Sequence, residues 1–366
     1  MNKESAPVKH VPASLPADSV APVPMSPVVS NVGAQKIAML LPLTGRANDV
    51  GEAMLNAAHL AMSDLGVNQF ELMPRDTAGT PEIARAVAET SIQEGATLIL
   101  GPLFAEDTKA VAPIAAQKNV NVISFSTDVG AVSNNSFILG FLPQSQIARV
   151  IDFSISSNKK NIALIAPRDS YGDASTRAFD LVMGARGLTP SSIIRYTGAK
   201  PSVTDLNALK NSGVNAVLIA SHGTAANTIS EQLNAIGLPS QSVTRLGTGL
   251  WDQADAARMP ALQGAFYAAS SPTARARFEK RYRDVYGVQP LRLASLGYDA
   301  VALAIVLHKS GRGFDRTSLL NPNGFAGVDG IFRFRSDGLN ERGLAIMQIE
   351  NNTARIVQEA PQTFLK

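Results

Sequence analysis

Lys36-Ile-Ala-Met-Leu-Leu-Pro-Leu-Thr-Gly45, followed by the stretch 48–65, decides the fold. Its first six residues are mostly apolar and too few to make a stable helix. Such a run suits a strand buried on both faces, as in a parallel sheet. Val50, Met54, Ala57, Ala58, Ala61 and Leu65 then recur at helical spacing. The stretch therefore reads as strand, turn and amphipathic helix, the opening of a βαβ unit.

The same rhythm continues outward. Short apolar runs at 70–73, 97–100 and 121–125 read as further strands, with helices between them. Thr80-Pro81-Glu82 has the form of a helix start, with a cap, a proline at the first position and an acid in the first turn. After Phe141-Leu-Pro143 the pattern restarts. Strands are expected at 162–166, 191–196, 216–220, 244–247 and 264–268. Helices are expected at 174–186, 205–211, 225–236, 274–286 and 294–308. β-like runs at 330–334 and 344–349 close the chain. Strands alternating with helices argue for parallel sheets. Two such blocks predict an α/β protein of two doubly wound lobes around a cleft.

Residues 1 to about 35 differ in kind. Pro7, Pro12, Pro16, Pro22, Pro24 and Pro27 recur among Ala, Ser and Val, and a segment so rich in proline supports neither helix nor sheet ladder. It is expected to be a semi-extended tether. At ~3.1 Å per residue it would reach on the order of 100 Å. No signal-peptide apolar region follows Met1, so the chain reads as cytosolic or as an exported protein whose leader has been removed. The tether favours export. A leader ending in a lipidated cysteine would make the protein a membrane-tethered periplasmic lipoprotein, touching the membrane only through that N-terminal anchor.

Several functions are excluded by composition. The net charge is only +3, and the longest basic run is Lys159-Lys160, so no nucleic-acid surface or polybasic membrane patch is expected. There is no cysteine, hence no disulfide, thiolate metal site or cysteine nucleophile. His10, His59, His222 and His308 show no ligand spacing, and no metal or cofactor is expected. The first turn lacks GxGxxG, and neither GxxxxGK[ST] nor GxSxG occurs. The chain is read as non-catalytic.

What remains is the set of loops after the strands, where open α/β sheets bind ligands. The first block offers Thr44-Gly45-Arg46, Asp76-Thr77, 101–105 and Ser126-Thr127-Asp128; the second offers 168–171, Ser221-His222 and 248–252. Candidate ligand-binding residues are Arg46, Phe104, Ala105, Ser126, Thr127, Asp128, Tyr171, His222 and Trp251. Trp251, the single tryptophan, would be a stacking platform. Asp128 would favour an amine over a carboxylate.

Ile37–Gly45 with its Gly/Ala-rich first helix, Gly101-Pro102 with Pro113, Val122-Ile-Ser124, the set Asp169, Tyr171 and Gly172, and Gly297-Tyr-Asp-Ala300 together resemble periplasmic receptors of the leucine/isoleucine/valine-binding type. The likeness runs from residue 36 to about 350. It implies the type I solute-binding, or Venus-flytrap, fold. The loop Gly101-Pro102-Leu103 and the terminal pattern Gly327-x-x-Gly330-Ile-Phe-x-Phe-x-x-Asp337-Gly338-x-x-x-Arg342 resemble more closely the C-terminal domain of penicillin-binding-protein activator lipoproteins. That likeness implies a regulator of peptidoglycan synthesis, with a peptidoglycan synthase as partner. The alternative is the solute receptor of an ABC importer for branched-chain amino acids or related polar solutes, with a permease as partner. In the amino-acid receptors a Ser after the GP-type turn and a Thr after the fourth strand hold the ligand. The matching positions carry Ala105 and Asp128, so the amino-acid pocket is altered. The resemblance places lobe one at 36–141 plus 271–327 and lobe two at 142–270 plus 328–366. The crossings fall near Phe141–Pro143, Ala269–Pro272 and Gly327–Gly330.

Overall fold

The computed structural model describes residues 34–364 apart from Ala254. The Pro-rich tether lies outside the described residues. β1 (Gln35–Leu41), β2 (Phe70–Asp76), β3 (Ala96–Leu100), β4 (Asn121–Ser124) and β5 (Ser136–Ile138) form an all-parallel sheet in the order β2-β1-β3-β4-β5. The intervening helices are α1 (Asn48–Leu65), α2 (Pro81–Gln93) and α3 (Ala105–Gln117). Ile37 to Leu41 are fully buried, because helices cover both faces of this sheet.

A second block follows: α4 (Pro143–Ser156), β6 (Ile162–Pro167), α5 (Ser170–Ala185), β7 (Ser192–Tyr196), α6 (Val203–Asn207), β8 (Ala216–Ile219), α7 (Gly223–Ala235), β9 (Thr244–Gly247) and β10 (Phe266–Ala269). Its sheet runs β7-β6-β8-β9-β10, the same reversal about the first strand as in the first sheet. Both lobes are thus doubly wound, and each has its switch point beside its first strand.

The chain then returns to the first lobe. α8 (Pro272–Tyr286) brings Phe278 and Tyr282 against Ala53, Ala57 and Leu60 of α1. α9 (Ala294–Lys309) lies so close to α1 that a Cβ on Gly297 would stand 2.3 Å from the Met54 carbonyl oxygen. Only glycine permits that approach. After α10 (Arg316–Leu319), β11 (Phe325–Gly327), β12 (Gly330–Phe334) and β13 (Asn340–Arg342) form a small antiparallel sheet. β14 (Ala345–Glu350) joins the second sheet antiparallel to β10, and β15 (Thr353–Gln358) pairs antiparallel with β14 at its edge.

The third crossing differs from expectation. Phe325, Phe332 and Phe334 bury in the first lobe's core with Ile123 and Phe137, so β12 and β13 stay with that lobe. The chain reaches the second sheet only after Arg342, not at Gly327–Gly330. The three short strands β5, β11 and β13 and the exposed β15 were not anticipated from the sequence. Three residues cannot display a period.

Asp107, in the first turn of α3, is 1% exposed, and its Oδ2 has no hydrogen-bond partner. Burial pushes its carboxyl up to about 6, and the Arg46 charge offsets this only in part. The folded state thus holds this proton more tightly than the unfolded chain does. Stability should fall as pH rises through the range from about 4 to 6. Asp107→Asn stays neutral throughout. Urea unfolding should find it more stable than the parent by about 1–3 kcal/mol near pH 8, with the two converging below pH 4. A pH-independent difference would contradict this account.

Candidate functional site

A cavity of about 400 Å³ lies where the two lobes meet. The first lobe supplies Thr127 after β4, and Arg292 and Leu293 before α9. The second supplies Tyr171, His222, Leu250 and Asp252 from its strand-end loops, with Ser145 and Gln146 from α4. The crossings supply Phe141, Ser270 and Arg342.

Hydrogen bonds within the second lobe hold its wall. The Tyr171 hydroxyl lies 2.8 Å from Thr248 Oγ1, and burial pushes its phenol up to about 12, so it stays a neutral hydrogen-bonding group. Gln146 Oε1 accepts from the Gly249 amide at 2.8 Å. Asp252 forms an ion pair with Arg275 of α8 that spans the two lobes. Beneath it the Tyr267 phenol is pushed up, by burial first and then by Asp252.

The other wall is built on charge. Arg292 stacks 4.1 Å from the centre of the Phe141 ring, and Arg342 lies 4.9 Å from that ring and 5.2 Å from Phe332. Arg292 pairs with Asp329 at 2.9 Å; Arg342 lies 3.6 Å from Asp299 and donates to the Leu139 carbonyl at 3.0 Å. The side chains of Asp299 and Asp329 are fully buried and that of Arg342 is 3% exposed. Burial, opposed by Arg342 and reinforced by Asp329, pushes the Asp299 carboxyl up. For Asp329 burial also pushes up, but Arg292 and Arg342 outweigh it and hold the group low. The buried Nε of Arg342 has no hydrogen-bond partner. The site therefore presents guanidinium groups beside an aromatic ring, an arrangement that suits a carboxylate with an apolar body.

Of the residues anticipated from the sequence, Thr127, Tyr171 and His222 line this cavity. Trp251 does not. It is fully buried, its indole Nε1 donates 2.8 Å to the Ser221 carbonyl, and its ring packs in the second lobe's core near Tyr267. It braces the Ser221–His222 loop from below and offers no stacking face. Asp128 also lies elsewhere. It caps the Gly130 amide, its Oδ2 lies 3.4 Å from Lys109, and it borders a separate pocket with Arg177. Ser126 is buried, and its Oγ accepts from the Asp128 amide. Arg46 stacks on Phe104 at 4.3 Å; these two and Ala105 lie outside the cavity wall. The cationic side chains Arg292 and Arg342 were not anticipated as site residues. Asp299 and Arg342 stand inside motifs singled out for resemblance, but nothing local says that they meet.

The sequence profile of the periplasmic binding protein family matches residues 34–354, and the chain belongs to that family. A solved structure of a putative branched-chain amino acid ABC transporter from Rhodospirillum rubrum superimposes with a TM-score of 0.79 at 19% identity, covering 88% of this chain and 100% of that one. The branched-chain amino acid transporter substrate-binding protein of Streptococcus pneumoniae, in complex with isoleucine, gives 0.59 at 19% identity over 90% and 100%. An ABC-transporter solute-binding protein of Rhodopseudomonas palustris, in complex with 3,4-dihydroxybenzoic acid, gives 0.61 at 19% over 90% and 96%. An uncharacterised protein of Rickettsia prowazekii is 20% identical over 148 residues, 40% of this chain and 39% of that relative.

The brace and the exposed pair should separate in mutants. Trp251→Ala is expected to cost about 3–5 kcal/mol in denaturant unfolding, as a buried aromatic. Asp128→Ala should cost under about 1 kcal/mol, because its partner Lys109 is solvated too. Equal costs would refute the assignment of Trp251 to the core.

Proposed function

We propose that this chain is a non-catalytic periplasmic solute receptor serving an ABC importer, for a small solute bearing a carboxylate, such as an amino acid. The observation that carries this reading is the cavity walled by both lobes and lined by Arg292 and Arg342. A solute touching both lobes favours the state in which they close on it. Isoleucine and 3,4-dihydroxybenzoic acid, held by two of the similar proteins, each carry a carboxylate. The synthase-activator reading has less support, since the similar solved proteins named above belong to importers. Among the described residues no helix is long and apolar enough to cross a membrane. In this proposal the N-terminal segment is the tether of a lipid-anchored receptor and keeps it near its permease.

Leucine, isoleucine and benzoate should be titrated by calorimetry and thermal shift. A bound solute at 100 times its Kd should stabilise by about 2.7 kcal/mol. Arg292→Lys keeps a positive charge beside Asp329 but loses the planar fork, so it should weaken a carboxylate solute about tenfold. Binding that ignores this substitution would place the solute elsewhere. No binding across a broad carboxylate panel would overturn the receptor reading.

A further inference from the structure

A second cavity, of about 600 Å³, opens at the carboxyl ends of β6, β7 and β8. It belongs wholly to the second lobe and sits at the switch point of that sheet, where the order β7-β6-β8 reverses. Tyr171, His222 and Leu250 line both cavities, so the two meet at these side chains. The far wall is held in place. The Tyr196 hydroxyl lies 2.8 Å from Ser221 Oγ, and the Trp251 indole fixes the Ser221 carbonyl from beneath. Thr224 and Thr228 of α7 add further hydroxyls.

The charges at the two ends differ in sign. In the second cavity Asp169 is the one acid, and no lysine or arginine lines it. Its Oδ1 caps the Gly172 amide at 2.7 Å, which leaves the other oxygen outside that bond. In the inter-lobe cavity the acid Asp252 is paired with Arg275, and Arg292 and Arg342 line the wall while the acids that pair with them, Asp329 and Asp299, are buried behind it. An α-amino acid carries its ammonium and carboxylate on one carbon and cannot serve both ends.

We propose that the two cavities together hold one elongated zwitterion, a short peptide. Its carboxylate lies toward Arg292 and Arg342, its amide bond passes the wall of Tyr171 and His222, and its ammonium lies toward Asp169. The hydroxyls of Tyr196, Ser221, Thr224 and Thr228 offer donors and acceptors for the amide and the N-terminal residue. This inference rests on the solute-receptor reading and narrows it from single amino acids to peptides.

The test is calorimetric titration of the full chain with L-leucine, L-alanyl-L-leucine and N-acetyl-L-alanyl-L-leucine. Two variants are compared with the parent. Asp169→Asn removes the charge yet keeps a residue that caps helices equally well. Ala225→Phe, on the half-buried face of α7, fills the second cavity. The dipeptide should bind at least tenfold more tightly than leucine. Asp169→Asn should weaken the dipeptide threefold or more and leave leucine unchanged. Acetylation should cost the parent a similar factor and cost Asp169→Asn nothing. Ala225→Phe should reduce the dipeptide to the affinity of leucine; should that variant fail to fold, Asp169→Asn decides alone. Leucine binding as tightly as the dipeptide, or indifference of the dipeptide to Asp169→Asn, would overturn the second subsite and leave the receptor standing. Absence of binding by all three probes would overturn this inference, whereas the receptor reading falls only if the broader carboxylate panel also fails to bind.

Discussion

Four charged side chains at the meeting of the lobes hold the rest in place: Arg292, Asp329, Arg342 and Asp299. Burying ions costs several kcal/mol each, and such a cluster persists only where partners and hydrogen bonds offset that cost. Here the partners come from four separate segments. Asp299 lies on α9, Asp329 on the turn between β11 and β12, Arg342 at the end of β13, and Arg292 ahead of α9. Arg342 also donates to Leu139, just before the first crossing, and Asp299 accepts from the Val328 amide at 2.7 Å. The cluster thereby ties the first and third crossings to the helix that packs on α1.

The position of the cavity follows from that tie. Phe141 lies within cation–π reach of both guanidinium groups, and it stands where the chain passes from the first sheet to α4. Both of its cationic neighbours belong to the first lobe's side of the crossing and hold it there. Positive charge faces the cleft because the acids that balance it are buried behind it. The same arrangement explains why the third crossing comes late. The strands carrying Asp329 and Arg342 must first pack Phe332 and Phe334 against the first sheet.

Much of the architecture was readable along the chain. The apolar run Ile37–Leu41, the helical spacing from Val50 to Leu65 and the strand expected at 162–166 are local signals, and each matches an element, whereas α4, which opens the second block, was not anticipated. The failures share one cause. Trp251 and Asp128 were chosen for chemistry at strand ends, yet a strand-end side chain can turn inward as easily as toward a cleft. For Trp251 the core prevailed, since a large ring stabilises most when fully buried and its N–H finds an acceptor in Ser221. For Asp128 a neighbouring amide and a solvated lysine took the carboxylate.

The amino-acid sequence by itself determined the fold class, the two-block organisation and the strand-end loops from which a site could be built. These depend on the period of apolar residues and on turn chemistry, which act over a few positions. Only the tertiary structure decided which of those loops share a cavity, and that arginines rather than Asp128 supply its charge. The acid Asp299 and its partner Arg342 are separated by a helix and two strands, and their pairing exists only once two sheets have packed. Contacts of that range leave no period in the chain, because they depend on how whole elements dock and not on the order of neighbouring residues.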